Sequence, residues 1–432
     1  MTQLNARDIV ILLDSPRRSL PLECSTRRGI VTGMATFPLA LDGVRVLDLS
    51  RVIAGPWCGA LLGDLGADVI KVEDPGGGDE SRTWPPYKDG EAAAYLLFNR
   101  NKRGMTLDLK APEAVDVVKT LVRSSDVLIE NFRTGTMEGF GLGYEALAAI
   151  NPRLVYCSVS AFGRTGPRKD APGYEALMQA FSGIMSITGE PGGQPVRAGV
   201  SFLDLSTGML CAMGVCAALI QREKTGLGQR VDGSLLETAV SLLAFHAEGY
   251  LLTGLVPKAL GSSHPSLSPY RNFKCKDGQW IFIAAANDRF WQKLARALGL
   301  ADLATDPRFS DNQQRVTHRA ELEGLLERVI GEREREGLLK LLAEADVPAT
   351  PVNTVAQVMT DPQTLERGII QQVAHPTLGE IPVVGTPLRF SRMAPGVRRA
   401  APRSGEHTDQ ILAECGLAPD KIRELRDKKV VL

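Results

Sequence analysis

The chain has 432 residues, of which 44% are hydrophobic and 23% charged, with 50 basic residues set against 50 acidic ones. That length exceeds what one compact core serves and predicts two domains, or one with a large insertion. A balanced charge argues against wrapping a polyanion or lying on a membrane through a basic patch, so neither nucleic acid nor membrane is expected as a partner.

Residues 1–33 carry five arginines and no sustained periodicity, which predicts a disordered extension or an over-long start ahead of Met34. A transit segment is the other reading, and Asp8, Asp14 and Glu23 weaken it. From Gly43 the pattern becomes strand, turn, helix, strand. Val44 to Leu49 is a β-rich run, Ala54-Gly55-Pro56 reads as a turn, a helix follows to Leu65, and Gly66 stops it. Val69 to Glu73 is the next strand, completing a βαβ unit with right-handed parallel packing. Further strands are expected at Met105–Leu109, Val127–Glu130 and Leu154–Ser158, with helices at Pro112–Val122 and Tyr144–Ile150. The predicted fold is therefore α/β, with a Rossmann-like parallel sheet in the larger domain.

Two helices are expected next, Thr207–Glu223 and Leu235–Leu252. The apolar stretch Gly208 to Ile220 falls short of the roughly 20 residues that span a bilayer, so it reads as a buried helix. A breaker-rich loop, Gly261-Ser262-Ser263-His264-Pro265, marks a boundary. Tyr270–Lys274 and Gln279–Ala284 flank a hairpin signal, and helices at Arg289–Leu298, Arg319–Ile330 and Glu334–Ala345 complete a smaller α+β unit. The expected division is a large domain over residues 34–225, a linker helix over 226–260, a small domain over 261–360, and a segment 361–432 that packs back on the large domain. The seven cysteines form no CxxC pair, and Cys211 and Cys216 read as small core residues in a reducing, cytoplasmic compartment.

The turn after the first strand, Arg51 to Trp57, lacks the G-x-G-x-x-G fingerprint, which argues against a nicotinamide cofactor. No Walker A sequence is present, and the five histidines show no zinc-ligand spacing, so no metal is expected. Asp204 draws attention because it precedes an apolar helix whose first-turn N–H groups need partners. From pattern alone, Asp204 or Ser206 reads as an N-cap, with the donors and the helix dipole holding Asp204 as an anion.

Several blocks in chain order resemble the class III CoA-transferases. They include Leu41-Asp42-Gly43-Val44-Arg45-Val46-Leu47-Asp48-Leu49, Leu62 to Glu73, Asn99-Arg100-Asn101-Lys102-Arg103, Glu130-Asn131-Phe132, Gly163 to Pro167, Asp204 to Gly208, and Lys224 to Gln229. The resemblance runs from about Pro38 to the C-terminus. It implies that Asp204 is a nucleophile toward an acyl-CoA thioester, with Glu175 beside it in the active site. It implies coenzyme A contacts at Ile53 and Ala54, at Leu107 to Lys110, at Asn131, Phe132 and Arg133, and at Ala171 to Tyr174. Lys110, Arg133 and Arg103 are candidates to meet phosphates. The substrates implied are an acyl-CoA and a small carboxylic acid, and the assembly implied is a homodimer of interlocked chains. In that dimer the loop around His264 would act on the partner subunit's site.

Departures from formyl-CoA transferase are visible: Asp74 and Gly139 stand where it has arginines. Ile53 replaces a glutamine proposed to steady the oxyanion, which leaves that work to backbone donors. The racemase branch of the same family carries a histidine at the Tyr174 position, and proton abstraction from carbon needs a tuned base. Tyr174 favours CoA transfer over an α-methylacyl-CoA racemase. A catalytically silent CoA-binding protein is the third reading. The loop Gly261 to Tyr270 resembles the succinyl-CoA:dicarboxylate branch and points to a dicarboxylate acceptor.

Overall fold

The computed structural model describes residues 37–432, so the extension read over residues 1–33 lies outside the described residues. Six strands form the central sheet: β1 (Arg45–Asp48), β2 (Asp68–Glu73), β3 (Lys102–Thr106), β4 (Val127–Glu130), β5 (Val155–Ser160) and β6 (Arg230–Ser234). Their order is β3-β2-β1-β4-β5-β6, and every neighbouring pair is parallel. The register sets Val46 beside Val69 on one side and Val127 on the other. Such near-continuous apolar strands require cover on both faces.

Helices α1 (Ala54–Asp64), α2 (Pro112–Arg123), α3 (Glu175–Phe181), α4 (Phe202–Thr225), α5 (Leu235–Leu242) and α6 (Phe245–Thr253) follow the strands. On one face Cys58 and Leu62 of α1 and Cys211, Val215 and Leu219 of α4 pack on Val46, Val69 and Val155. On the other, Val118 and Leu121 of α2 meet Leu47 and Ile70. Ile411, Leu412, Leu425 and Val431, from near the end of the chain, fill the same core.

A three-stranded antiparallel sheet of β7 (Tyr270–Lys274), β8 (Trp280–Ala284) and β9 (Ala349–Pro351) has its own core. Phe273, Ile281, Trp291, Leu326 and Leu342 fill it, the last three from α7 (Asp288–Ala297), α8 (Arg319–Gly331) and α9 (Arg335–Glu344). A hairpin of β10 (Ile370–His375) and β11 (Gly379–Val384) and the helices α10 (Thr408–Glu414) and α11 (Pro419–Asp427) complete the chain.

The structure corrects several sequence expectations. Ala54-Gly55-Pro56 is the first turn of α1, where proline loses no hydrogen bond. The strand expected at Met105–Leu109 is Lys102–Thr106, because Lys102 and Arg103 are buried with partners. β6 escaped notice as a polar edge strand with Arg230 and Asp232 facing out. The helix expected over Leu235–Leu252 breaks by 76° at Ala244, whose φ is +45°. No glycine or proline marks that break. Helix α4 starts five residues earlier than expected and has 24 residues, long and apolar enough to cross a membrane by length and composition. Half of its apolar window is buried against the sheet and its neighbours.

Candidate active site

The sheet order reverses between β1 and β4, and loops leaving the C-terminal ends of those strands diverge to opposite sides. Open α/β sheets bind ligands in the crevice this creates. A cleft of about 220 Å³ lies there. The turn after β1 supplies Ile53 and Ala54, the loop after β4 supplies Asn131, Phe132 and Arg133, and the segment leading into α3 supplies Ala171, Tyr174 and Glu175. Asp204 of α4 completes it.

Local chemistry fixes each wall. The Asn131 side chain accepts from the Arg51 N–H at 2.8 Å and donates to its carbonyl at 2.6 Å, which ties the two loops together. The Arg51 guanidinium stands 5.0 Å from the Phe132 ring centroid. Glu130, at the end of β4, accepts the Phe132 N–H at 2.9 Å, and burial holds its carboxyl above the ordinary range. The first turns of α1, α3, α4 and α5 all open on the cleft through Ala54, Glu175, Asp204 and Leu235. The leading N–H groups of a helix have no partner within it; those of α5 are met by the Ala161 carbonyl and the Ser234 hydroxyl, which leaves the starts of α1, α3 and α4 to offer donors to an anionic ligand.

Asp204 sits inside the first turn of α4, and Ser201 is the N-cap, with no side-chain cap bond. Neither Asp204 nor Ser206 is the cap. The donors expected to hold Asp204 as an anion do not reach it: among the described residues its carboxylate accepts no hydrogen bond. Burial, followed by the charge of Glu175, instead pushes its carboxyl up to about 7. Glu175 is itself buried and held in place. Gln179 Nε2 donates to Glu175 Oε1 at 2.5 Å, and Arg197 Nε lies 3.6 Å from Oε2. Gln179 in turn accepts the Ala198 N–H at 2.9 Å, so the segment entering α4 is latched to α3.

Three expected contacts fall elsewhere. Leu107 is buried in the core under α2, and Lys110 is exposed and outside the cleft. Arg103 pairs with Asp68 at 2.7 Å and Glu414 at 2.9 Å, which fastens α10 to the sheet edge. His264 does not line the cleft of its own chain; it stacks against Phe245 and Tyr270. Arg51, Glu80 and Lys169 do line it and were missed. The position of Arg51 directly after a strand at the sheet's reversal was the signal that could have found it. Among the described residues, no three histidine, cysteine or acidic side chains are grouped to hold a metal.

The model of CoA-transferase family III matches residues 41–408, nearly the whole described chain. The chain belongs to CoA-transferase family III. It is similar to the succinate–glutarate CoA-transferase of Agrobacterium fabrum, with 41% identity over 89% of this chain and 98% of that one. The human succinyl-CoA:glutarate CoA-transferase is 40% identical over 90% of this chain and 89% of its own. Among solved structures, a CAIB/BAIF family protein from Brucella suis superposes with a TM-score of 0.79 at 42% identity, covering 88% of this chain and all of that one. As a family III CoA-transferase the protein is an enzyme that takes CoA thioesters as substrates. The cleft brings Arg51 and Arg133, and Lys169 paired with Asp170 at 2.8 Å, together with the carboxylates of Glu80, Glu175 and Asp204.

Proposed function

We propose that this CoA-transferase moves CoA from an acyl-CoA, with succinyl-CoA the favoured donor, to a small dicarboxylic acid, and that Asp204 is its nucleophile. The observation that carries the reading is a buried carboxylate, without hydrogen-bond partners among the described residues, that lines a cleft bordered by the first turns of α1, α3, α4 and α5. Ionised Asp204 attacks the thioester carbonyl, the C–S bond breaks, and CoA thiolate leaves an aspartyl–acyl anhydride. The thiolate then attacks the aspartyl carbonyl, which releases the donor acid and leaves an aspartyl-CoA thioester. The acceptor carboxylate attacks that thioester and expels the thiolate again. The thiolate takes the acceptor acyl group, and Asp204 is regenerated. Each step exchanges one acyl bond for another, which splits a hard transfer into easier ones.

Ile53 has no side chain able to steady an oxyanion, so the first-turn N–H groups of α1 take that role. Glu175 shapes the charge of the site. Ile53, Ala54, Asn131, Phe132, Arg133, Ala171 and Tyr174 line the groove for coenzyme A. The relatives' printed substrates, succinyl-CoA and glutarate, support a dicarboxylate acceptor.

The family's interlocked homodimer is part of this proposal. Helix α6 buries none of its residues within the chain, and Leu251, Leu252, Leu255 and Val256 are each more than 70% exposed. An apolar face of that kind calls for a partner surface. The small antiparallel domain and its His264 loop would then serve the partner's cleft. The cytoplasm is the compartment this reading assigns, on the reducing surroundings that the scattered cysteines imply.

Intact-mass analysis after mixing with succinyl-CoA should show an adduct on Asp204 that hydroxylamine removes. Asp204→Ala should lose both adduct and exchange. Full exchange by Asp204→Ala would end this mechanism, and α-proton exchange of a branched acyl-CoA in heavy water would favour the racemase reading.

A further inference from the structure

Beneath the turn after β1 lie four charged side chains that the transfer mechanism does not use. Asp48, Lys71, Asp79 and Lys102 are completely buried, as two ion pairs. Lys71 Nζ lies 2.7 Å from Asp79 Oδ2, and Lys102 Nζ lies 2.8 Å from Asp48 Oδ2. Their remaining bonds converge on one stretch of backbone. Asp48 Oδ1 accepts the Ser50 N–H at 3.0 Å, and Lys71 donates to the Ser50 carbonyl. Asp79 Oδ1 accepts the Val52 N–H at 3.1 Å, and Lys102 donates to the Pro56 carbonyl at 2.8 Å.

The held turn is strained and tightly keyed. Val52 has φ +73°, a region that is costly for a β-branched residue and survives where surroundings over-determine it. A Cβ on Gly55 would stand 2.3 Å from Ser50 Cβ, and one on Gly59 would stand 2.8 Å from Asp48 Oδ2. Fold stability alone does not explain four buried charges, because well-packed apolar residues of similar volume often serve as well or better. Strain backed by buried charge belongs where a backbone must be aimed. The next residues, Ile53 and Ala54, line the cleft beside Asp204.

We propose that Asp48, Lys71, Asp79 and Lys102 are positioning residues: a buried ionic lattice that locks the Ser50–Pro56 turn so that the first-turn N–H groups of α1 face the carbonyl attacked by Asp204. The inference rests on the reading of Asp204 as nucleophile. Acting through the turn, the lattice touches neither substrate nor the reacting atoms. Its loss would leave ground-state binding of acyl-CoA in place and slow the step in which negative charge builds on oxygen.

The test compares full-length wild type with Asp79→Asn, Lys102→Met and Ser81→Ala, each with and without Val52→Gly, well below the melting temperature of every variant. Ser81 donates its hydroxyl to Asp79 Oδ1 at 2.8 Å, so Ser81→Ala loosens one corner of the lattice while leaving its charges intact. The readouts are the single-turnover rate of adduct formation on Asp204 by rapid-quench mass spectrometry and the Kd for acyl-CoA. Asp79→Asn and Lys102→Met should slow adduct formation roughly tenfold or more with Kd changed less than about twofold, and Ser81→Ala should show a smaller loss of the same kind. The losses for Asp79→Asn and Ser81→Ala should shrink in the Val52→Gly background, because glycine takes a positive φ without being forced.

Adduct rates within about twofold of wild type for Asp79→Asn and Lys102→Met, a loss confined to Kd, or losses for Asp79→Asn and Ser81→Ala that are equal with valine and with glycine at position 52 would each overturn the proposal. Where the charge variants do not fold, Ser81→Ala decides it. An absent adduct in the wild type refutes the Asp204 reading and the lattice role with it, whereas a normal adduct in undiminished variants refutes the lattice role alone.

Discussion

Gly208 of α4 lies directly over Ala54 of α1: a Cβ built on the glycine would stand 2.6 Å from the Ala54 carbonyl oxygen and 3.0 Å from the Trp57 ring. The absent side chain lets the two helices cross at backbone contact. One turn before that crossing, α4 carries Asp204; at its start, α1 presents the N–H groups proposed to meet the oxyanion. Gly208 thus limits how closely the helix bearing Asp204 approaches the start of α1.

Gly208→Ala should therefore cost stability and activity together. The new methyl group meets backbone, which cannot rotate away, so overpacking of about 1–3 kcal/mol is expected in urea unfolding. Moving α1 off α4 should also lower kcat at temperatures where the variant is folded. A variant with wild-type kcat would show that this crossing does not set the site's geometry.

The proton affinity of Asp204 gives a second handle. With its carboxyl near 7 in the free enzyme, kcat/KM for acyl-CoA should rise with pH through about 7 as the nucleophile ionises. Burial is the larger cause and the Glu175 charge the second, so Glu175→Gln should move this limb to lower pH without abolishing it. Pre-steady-state adduct formation across pH 5–9 (a range chosen to bracket the limb) would read it. An unmoved limb would remove Glu175 from the electrostatics of the site.

Much of this frame is legible in sequence, for stated physical reasons. The βαβ start shows in apolar runs punctuated by Gly66, and ordered blocks single out Asp204 where helix patterning reads a cap. What escapes is set by tertiary contact. Lys71 within Val-Ile-Lys-Val-Glu and Asp48 within Val-Leu-Asp-Leu are charges in buried strands and announce that partners exist, but the partners lie in distant segments. Leu107 and Arg103 match family contacts in order along the chain, yet one packs in the core and the other staples α10. The break at Ala244 leaves no local mark, because a residue held at positive φ by its surroundings carries no sequence signal.

Stability should report Asp204 independently of catalysis. Its folded carboxyl sits near 7 against 3.8 in an ordinary aspartate, so between those values the native state binds more protons than the unfolded one. Stability contributed by this group falls as pH rises through that window, and the full penalty applies above about 7, at most roughly 4 kcal/mol. Asp204→Asn should be more stable than wild type at pH 8 and nearly equal at pH 4, as read from melting curves. A constant difference across pH would contradict a raised carboxyl.

The pair Arg100–Asp64 tests whether buried charge in this fold is a liability once broken. Both side chains are fully buried, joined by bonds of 3.1 and 2.6 Å, and Asn101 adds a third at 2.8 Å. The guanidinium also stands 4.8 Å from the Trp57 ring on α1. Removing the carboxylate strands a guanidinium that cannot shed its proton, so Asp64→Ala should cost about 3–5 kcal/mol in urea unfolding. Removing both charges with Asp64→Leu and Arg100→Met exchanges the pair for apolar volume and should recover most of that loss. If the double variant is no more stable than Asp64→Ala, the cost lies in packing around Trp57 and not in the stranded charge. Activity of a well-folded double variant would further show that this pair, unlike the lattice under Val52, has no part in aiming α1.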